Sequence, residues 1–102
     1  MQQGNQNSLN GSVSLTANES QEVSEWKHNS ERVVISFTNL ETSGGTTCYL
    51  AVGAEAVINK GIPIQPGQSV TFSKDSGYTP SQKQYSLIAA ANMDVAIYEE
   101  VL

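Results

Sequence analysis

The chain has one cysteine, one histidine and five basic residues among 102, and each shortage closes off a class of function. Cys48 alone cannot form an internal disulfide, so the fold is not covalently stapled from within. The thiol sits in the apolar-rich run Thr47–Val52 and reads as a buried small hydrophobe. A catalytic thiol needs a base beside it. His28 lies in a polar stretch, and nothing in the sequence places it near Cys48. Zinc sites draw on several His and Cys ligands; one of each is too few.

The basic residues Lys27, Arg32, Lys60, Lys74 and Lys83 never cluster, and the net charge is −5. Nucleic-acid binding needs a dense basic stripe, so no nucleic-acid partner is expected. An acidic surface repels anionic headgroups, and no apolar run approaches the roughly 18 residues of a membrane span. No membrane association is expected either. Met1–Ser12 has neither a basic n-region nor an apolar h-region, so the expectation is synthesis in a cytoplasm without a signal peptide. The Asn10-Gly11-Ser12 and Asn18-Glu19-Ser20 glycosylation patterns then carry little meaning.

Catalytic signatures are missing too. There is no Gly-x-Ser-x-Gly, Cys-x-x-Cys, His-Glu-x-x-His, phosphate-binding glycine loop or calcium loop. Glu99 and Glu100 are adjacent, but neighbours on a strand point to opposite faces. They do not make an acid–base dyad. Asp75 falls in a loop and Asp94 in a turn. The reading is therefore of a protein that is not an enzyme, with no catalytic residues, no metal and no cofactor.

What remains is a single domain. A chain of 10.9 kDa folds to a surface of roughly 5,600 Å² from about 15,800 Å² when extended, enough burial for one core. All of residues 1–12 except Met1 and Leu9 are Gln, Asn, Gly or Ser, too polar to order by burial. They read as a flexible N-terminal arm, with the domain proper over 13–102.

Within the domain, period-two alternation marks strands. Val13, Leu15 and Ala17 share a face, as do Val33, Ile35 and Phe37 of Arg32–Leu40, the clearest strand. Cys48, Leu50 and Val52 alternate in Thr46–Gly53, and Tyr85, Leu87 and Ala89 in Gln84–Ala91. Gln21–Lys27 and Ala54–Asn59 read as short strands, Asn92-Met93-Asp94 as a turn, and Val95–Glu99 as the closing strand. Between Ile62/Ile64 and Val70/Phe72 stands Pro66-Gly67, which fits a type II turn over Gln65–Gln68, a hairpin or a corner between sheets. Ser14–Ser24 echoes Pro63–Ser73, with Leu15 matching Ile64 and Ser20 matching Ser69. Short strands at about 8–12-residue spacing, with no helix, predict an all-β chain: a single antiparallel β-sandwich of about eight strands, of jelly-roll or other Greek-key topology.

Three aromatics stand out as partner contacts. Trp26 is flanked by Glu25, Lys27 and His28; Tyr49 lies on the polar side of its strand; Tyr78 sits in the polar excursion Lys74–Lys83. Exposed aromatics are favoured anchors for protein partners. Together they would also serve as a platform for a glycan or receptor.

The succession Arg32–Asn39, Tyr49–Gly53, Gly61-Ile62-Pro63-Ile64-Gln65-Pro66-Gly67 and a closing strand ending in Glu99 resembles small β-sandwich structural proteins of bacterial viruses. The resemblance spans about residues 13–100. It implies a virion component: a capsid decoration (cement) protein, a vertex protein, or a module of a spike or fibre. It further implies a homo-oligomer, trimer or pentamer, partnered by the major capsid protein, with no enzymatic activity and no cofactor.

Overall fold

The computed structural model describes residues 8–23, 32–73 and 85–101. Eight strands follow in chain order: β1 (Ser8–Leu15), β2 (Gln21–Glu22), β3 (Arg32–Asn39), β4 (Cys48–Val52), β5 (Ile62–Ile64), β6 (Ser69–Ser73), β7 (Tyr85–Ala89) and β8 (Met93–Val101). No helix occurs among the described residues. Two antiparallel four-stranded sheets form, a first in the order β1-β8-β3-β6 and a second in the order β2-β7-β4-β5.

The alternation read from the sequence sets which side chains are buried. From the first sheet, Leu15, Ile35, Phe37, Met93, Val95 and Ile97 enter the core; from the second come Cys48, Leu50, Ile64, Tyr85, Leu87 and Ala89. These belong to one cluster, so the two sheets face each other across a shared interior. Tyr85 of the second sheet lies 5.5 Å from the Phe37 ring and 5.8 Å from the Phe72 ring, both in the first. Tilted pairs at that spacing add to plain area burial. Glu99 is also fully buried on the inward face of β8. A carboxylate is almost never buried unless it is engaged.

Four turns share one backbone solution. Thr16–Glu19, Thr42–Gly45, Val57–Lys60 and Gln65–Gln68 each close with an N–H to C=O bond from the fourth residue to the first, at 3.1, 2.8, 3.1 and 2.9 Å. The third residue of each has positive φ: Asn18 at 63°, Gly44 at 87°, Asn59 at 68° and Gly67 at 81°. The second residue does not. That combination defines type II, and only Gly or Asn takes the third position readily.

Pro66-Gly67 thus turns as expected, and it joins β5 of the second sheet to β6 of the first. It is a corner between sheets and not a hairpin. The echoing segment behaves alike: Thr16–Glu19 carries the chain from β1 in the first sheet to β2 in the second.

Other expectations need correction. Ala54–Asn59 is a loop and not a strand; its Ala56 is buried, so the apolar spacing marks a loop packed onto the domain. Met93 and Asp94 belong to β8 and not to a turn, because they pair with Leu15 and Ser14. Ser8–Ser12, expected within the flexible arm, lie in β1, whose pairing with β8 continues unbroken to Ser8 opposite Glu100. Backbone pairing needs no apolar side chain, so composition gave no sign of it. Of Gln21–Lys27, β2 takes Gln21–Glu22 and Val23 enters the core; Ser24–Lys27 lie outside the described residues, as do residues 1–7, His28 and the excursion Lys74–Lys83.

Candidate functional site

Of the three aromatics singled out, Trp26 and Tyr78 lie outside the described residues. Tyr49 is half-buried on the outer side of β4, and its hydroxyl donates to Asn59 Oδ1 at 2.9 Å. That bond holds one end of the Gly53–Gly61 loop. The Ala56 N–H holds the middle by donating to Ser20 Oγ at 2.9 Å. Ser20 precedes the edge strand β2, and Tyr49 is two strands further in, with Ile88 of β7 between them. Ile88 points outward yet is only 7% exposed. The loop is tethered on both sides of it. At the rim, a cleft of about 330 Å³ is lined by Ser20, Glu22, Gly53, Ala54, Glu55 and Ser86.

The outer face of the first sheet is different. Period-two alternation, which sends apolar residues inward, sends Asn10, Ser12 and Ser14 of β1 outward, with Ala96, Tyr98 and Glu100 of β8, Ser36 and Thr38 of β3, and Ser69 and Thr71 of β6. Hydroxyls pair across the strands. Ser14 Oγ donates to Asp94 at 2.7 Å, Thr38 and Ser69 hydroxyls lie 2.7 Å apart, and Thr71 donates to Ser36 at 3.1 Å. Ala96, the small side chain at the centre, leaves an open groove of about 400 Å³ bordered by Asn10, Ser12, Ser36, Thr38 and Tyr98.

The Tyr98 hydroxyl donates to Glu100 two residues along the same face. This hydrogen bond, ahead of desolvation and the carboxylate's charge, holds the phenol above its ordinary pKa. Tyr98 therefore stays neutral and donating throughout the physiological range.

This face can make many hydrogen bonds to a partner, and among its described side chains only Asp94 and Glu100 carry carboxylates. No set of three or more His, Cys, Asp or Glu side chains converges among the described residues. Among the described residues no imidazole stands beside the Ser14–Asp94 pair. Within any one strand these residues are only the polar half of an alternation. Only strand order puts them side by side.

Asn39, at the end of the strand read over Arg32–Leu40, has a role that alternation does not reveal. It is fully buried. Its Nδ2 donates to the carbonyls of Thr46 and Ile64 at 2.9 and 2.8 Å, and its Oδ1 accepts from the Glu41 N–H at 2.9 Å. Its own backbone bonds Gln68 O and Gly67 N, both at 3.0 Å. It organises the corner and presents nothing to a ligand.

Comparison of the chain with protein-family models, with curated proteins and with solved structures gave no match.

Proposed function

We propose that the chain is a structural component of a bacteriophage particle, a capsid-stabilising decoration or vertex protein that acts through oligomeric protein–protein contacts. The observation that carries this reading is the strand order. Sheets β1-β8-β3-β6 and β2-β7-β4-β5, joined by corners that cross between them, fit a β-sandwich of jelly-roll type, in which two Greek keys interlock. Viral capsid domains are among the users of that architecture. The resemblance of Arg32–Asn39 and the Pro66-Gly67 corner to phage structural proteins points the same way. The broad hydroxyl-bearing face of the first sheet suits a polar contact between proteins, since non-obligate interfaces are no more apolar than ordinary surface.

On this reading the partners are further copies of the chain, in a trimer or pentamer, and the major capsid protein. The place of action is the virion, and no enzymatic activity or cofactor is involved. Light scattering on the purified protein should give a symmetric oligomer, and the protein should co-sediment with phage capsids. A strict monomer that never co-sediments would overturn the proposal.

A second reading, a glycan- or receptor-binding module of a spike or fibre, is favoured by the groove over Ala96. There the Tyr98 ring stands beside the Asn10 amide and the Ser12, Ser36 and Thr38 hydroxyls. It predicts sugar binding by the isolated domain that Tyr98→Ala abolishes.

A further inference from the structure

Natural sheets guard their edges with short strands, proline, charges or bulges, because an open edge is a template for another chain. Three of the four edges here fit that rule. β2 has two residues, β5 has three with Pro63 at its centre, and β6 has five. β1 has none of these guards. It is eight residues long, contains no charge and no proline, and pairs with β8 without a register shift. No described strand pairs with its other side.

Charge isolates this edge further. Each copy carries a net −5, with no charged residue before Glu19. Two copies repel in general, and the contact least opposed is one made by an uncharged segment. Gly11 adds a third observation. It lies in the middle of β1, its φ is not positive, and a Cβ there would meet nothing within 4 Å. Neither turn geometry nor packing among the described residues calls for glycine. With no bulge in the β1–β8 register, a glycine inside a strand marks a place where a ligand or another backbone approaches closely.

We infer that β1 is a self-pairing edge: two copies join antiparallel through Ser8–Leu15, turning two four-stranded sheets into one of eight strands about a twofold axis. Directly opposed residues of an antiparallel pair face the same side. The core-facing and outward-facing sets must therefore stay in register, and the axis passes through a residue and not between two. Gly11 opposite its own counterpart, or Ser12 opposite its own, satisfies both conditions near the strand centre. In either register the outward Asn10 and Ser12 of one copy lie beside those of the other. The contact is isologous, distinct from the heterologous contacts that close a ring, and it stands whether or not the protein binds a particle.

The test uses charge. Asn10 and Ser12 are exposed, so an N10K/S12K variant and an N10E/S12E variant should each fold. Like charges across the junction should separate the copies, and mixing the two variants should restore pairing. Light scattering should give an even number of copies for the wild type and for the equimolar mixture (six or ten where the proposed trimer or pentamer pairs through β1), and half that number for either variant alone; a wild type with an odd number of copies would overturn the inference. Rescue on mixing tells lost pairing from lost folding, which mixing cannot repair. A wild type that is monomeric over a wide concentration range would overturn the inference. So would an oligomer that both variants leave unchanged. Failure to co-sediment with capsids, with this pattern intact, would count against the proposed function alone.

Discussion

The corner at Thr16–Glu19 and the corner at Gln65–Gln68 use the same backbone and are held in place differently. Both are type II turns that carry the chain from one sheet to the other. In both, the positive-φ residue donates its N–H to the carbonyl that ends a strand: Asn18 to Ala89 O of β7 at 2.7 Å, Gly67 to Asn39 O of β3 at 3.0 Å. Strand n of one half thus stands where strand n+4 stands in the other, and the sequence echo at Ser14–Ser24 traces to this. The difference lies in the receiving residue. Ala89 offers only its carbonyl. Asn39 adds a buried side chain that binds Thr46, Ile64 and Glu41. The first corner borrows a side chain from elsewhere: the Ala17 N–H donates to Asn92 Oδ1 at 2.8 Å, and that bond is exposed. One geometry is therefore held from inside the protein and the other from its surface.

The largest expected effect follows from that contrast. Asn39→Ala removes the partners of two carbonyls and one N–H in or near the interior. The bond to Ile64 O is buried and the other two are part-buried; at about 1–3 kcal/mol for the buried group and about 0.5–1.5 for each of the others, the loss should be roughly 2–6 kcal/mol. Denaturant melts measure it. A loss below about 1 kcal/mol would mean that water replaces the side chain and that the interior staple adds little.

Next come the turn glycines. A Cβ at Gly67 meets nothing within 4 Å, so Gly67→Val tests backbone strain alone. Holding a β-branched residue at positive φ should cost roughly 1–3 kcal/mol. At Gly61, with φ of +85°, a Cβ would also fall 2.5 Å from Leu50 O. Gly61→Ala should thus cost more than Gly67→Ala in the same melts. Equal losses would show that the clash relaxes freely. Asn18→Gly, which relieves the strained position in the first corner, should stay within about 0.5 kcal/mol of wild type.

Asn92→Ala breaks the exposed hold on the first corner. It should cost about 0.5–1.5 kcal/mol, the net worth of one ordinary hydrogen bond. The ordering Asn39 over Asn92 is the sharpest measure of the contrast, since both variants delete the same side chain beside equivalent turns. A reversed ordering would place the weight of the fold on its surface contacts.

Much of this was legible in the residues. Alternation at Ile35/Phe37, Cys48/Leu50/Val52 and Tyr85/Leu87/Ala89 gave the inward faces, because a two-sheet core enforces period two. Pro66-Gly67 gave its turn, because few residues tolerate positive φ. Asn39 was not legible: asparagine at a strand end is a usual turn former, and only the return of Thr46 and Ile64 to its side makes it a staple. Nor was the outer face of the first sheet, because Ser12, Ala96 and Thr38 become neighbours only through pairings between strands far apart in sequence. Ala54–Asn59 misled because a loop that buries Ala56 has the same apolar spacing as a short strand.

The smallest effect concerns Cys48, which stands beside the stapled corner. Its thiol is fully buried and reaches Ile64 O at 3.8 Å, the same carbonyl that Asn39 binds. Burial pushes its pKa up from 9.0 to about 11, against a smaller lowering by a backbone hydrogen bond. The folded state therefore holds the proton more tightly than the unfolded state does. The sign follows by linkage: the contribution is complete below pH 9 and is lost as pH rises from 9 toward 11. At neutral pH, Cys48→Ala should show only the modest change of a shortened side chain. Above pH 9 the wild type should lose stability with a steeper slope than the variant. Parallel slopes in melts from pH 8 to 11 would mean that the thiol ionises as freely in the folded protein as in the unfolded chain, and that the interior around Ile64 O is wetter than the Asn39 staple requires.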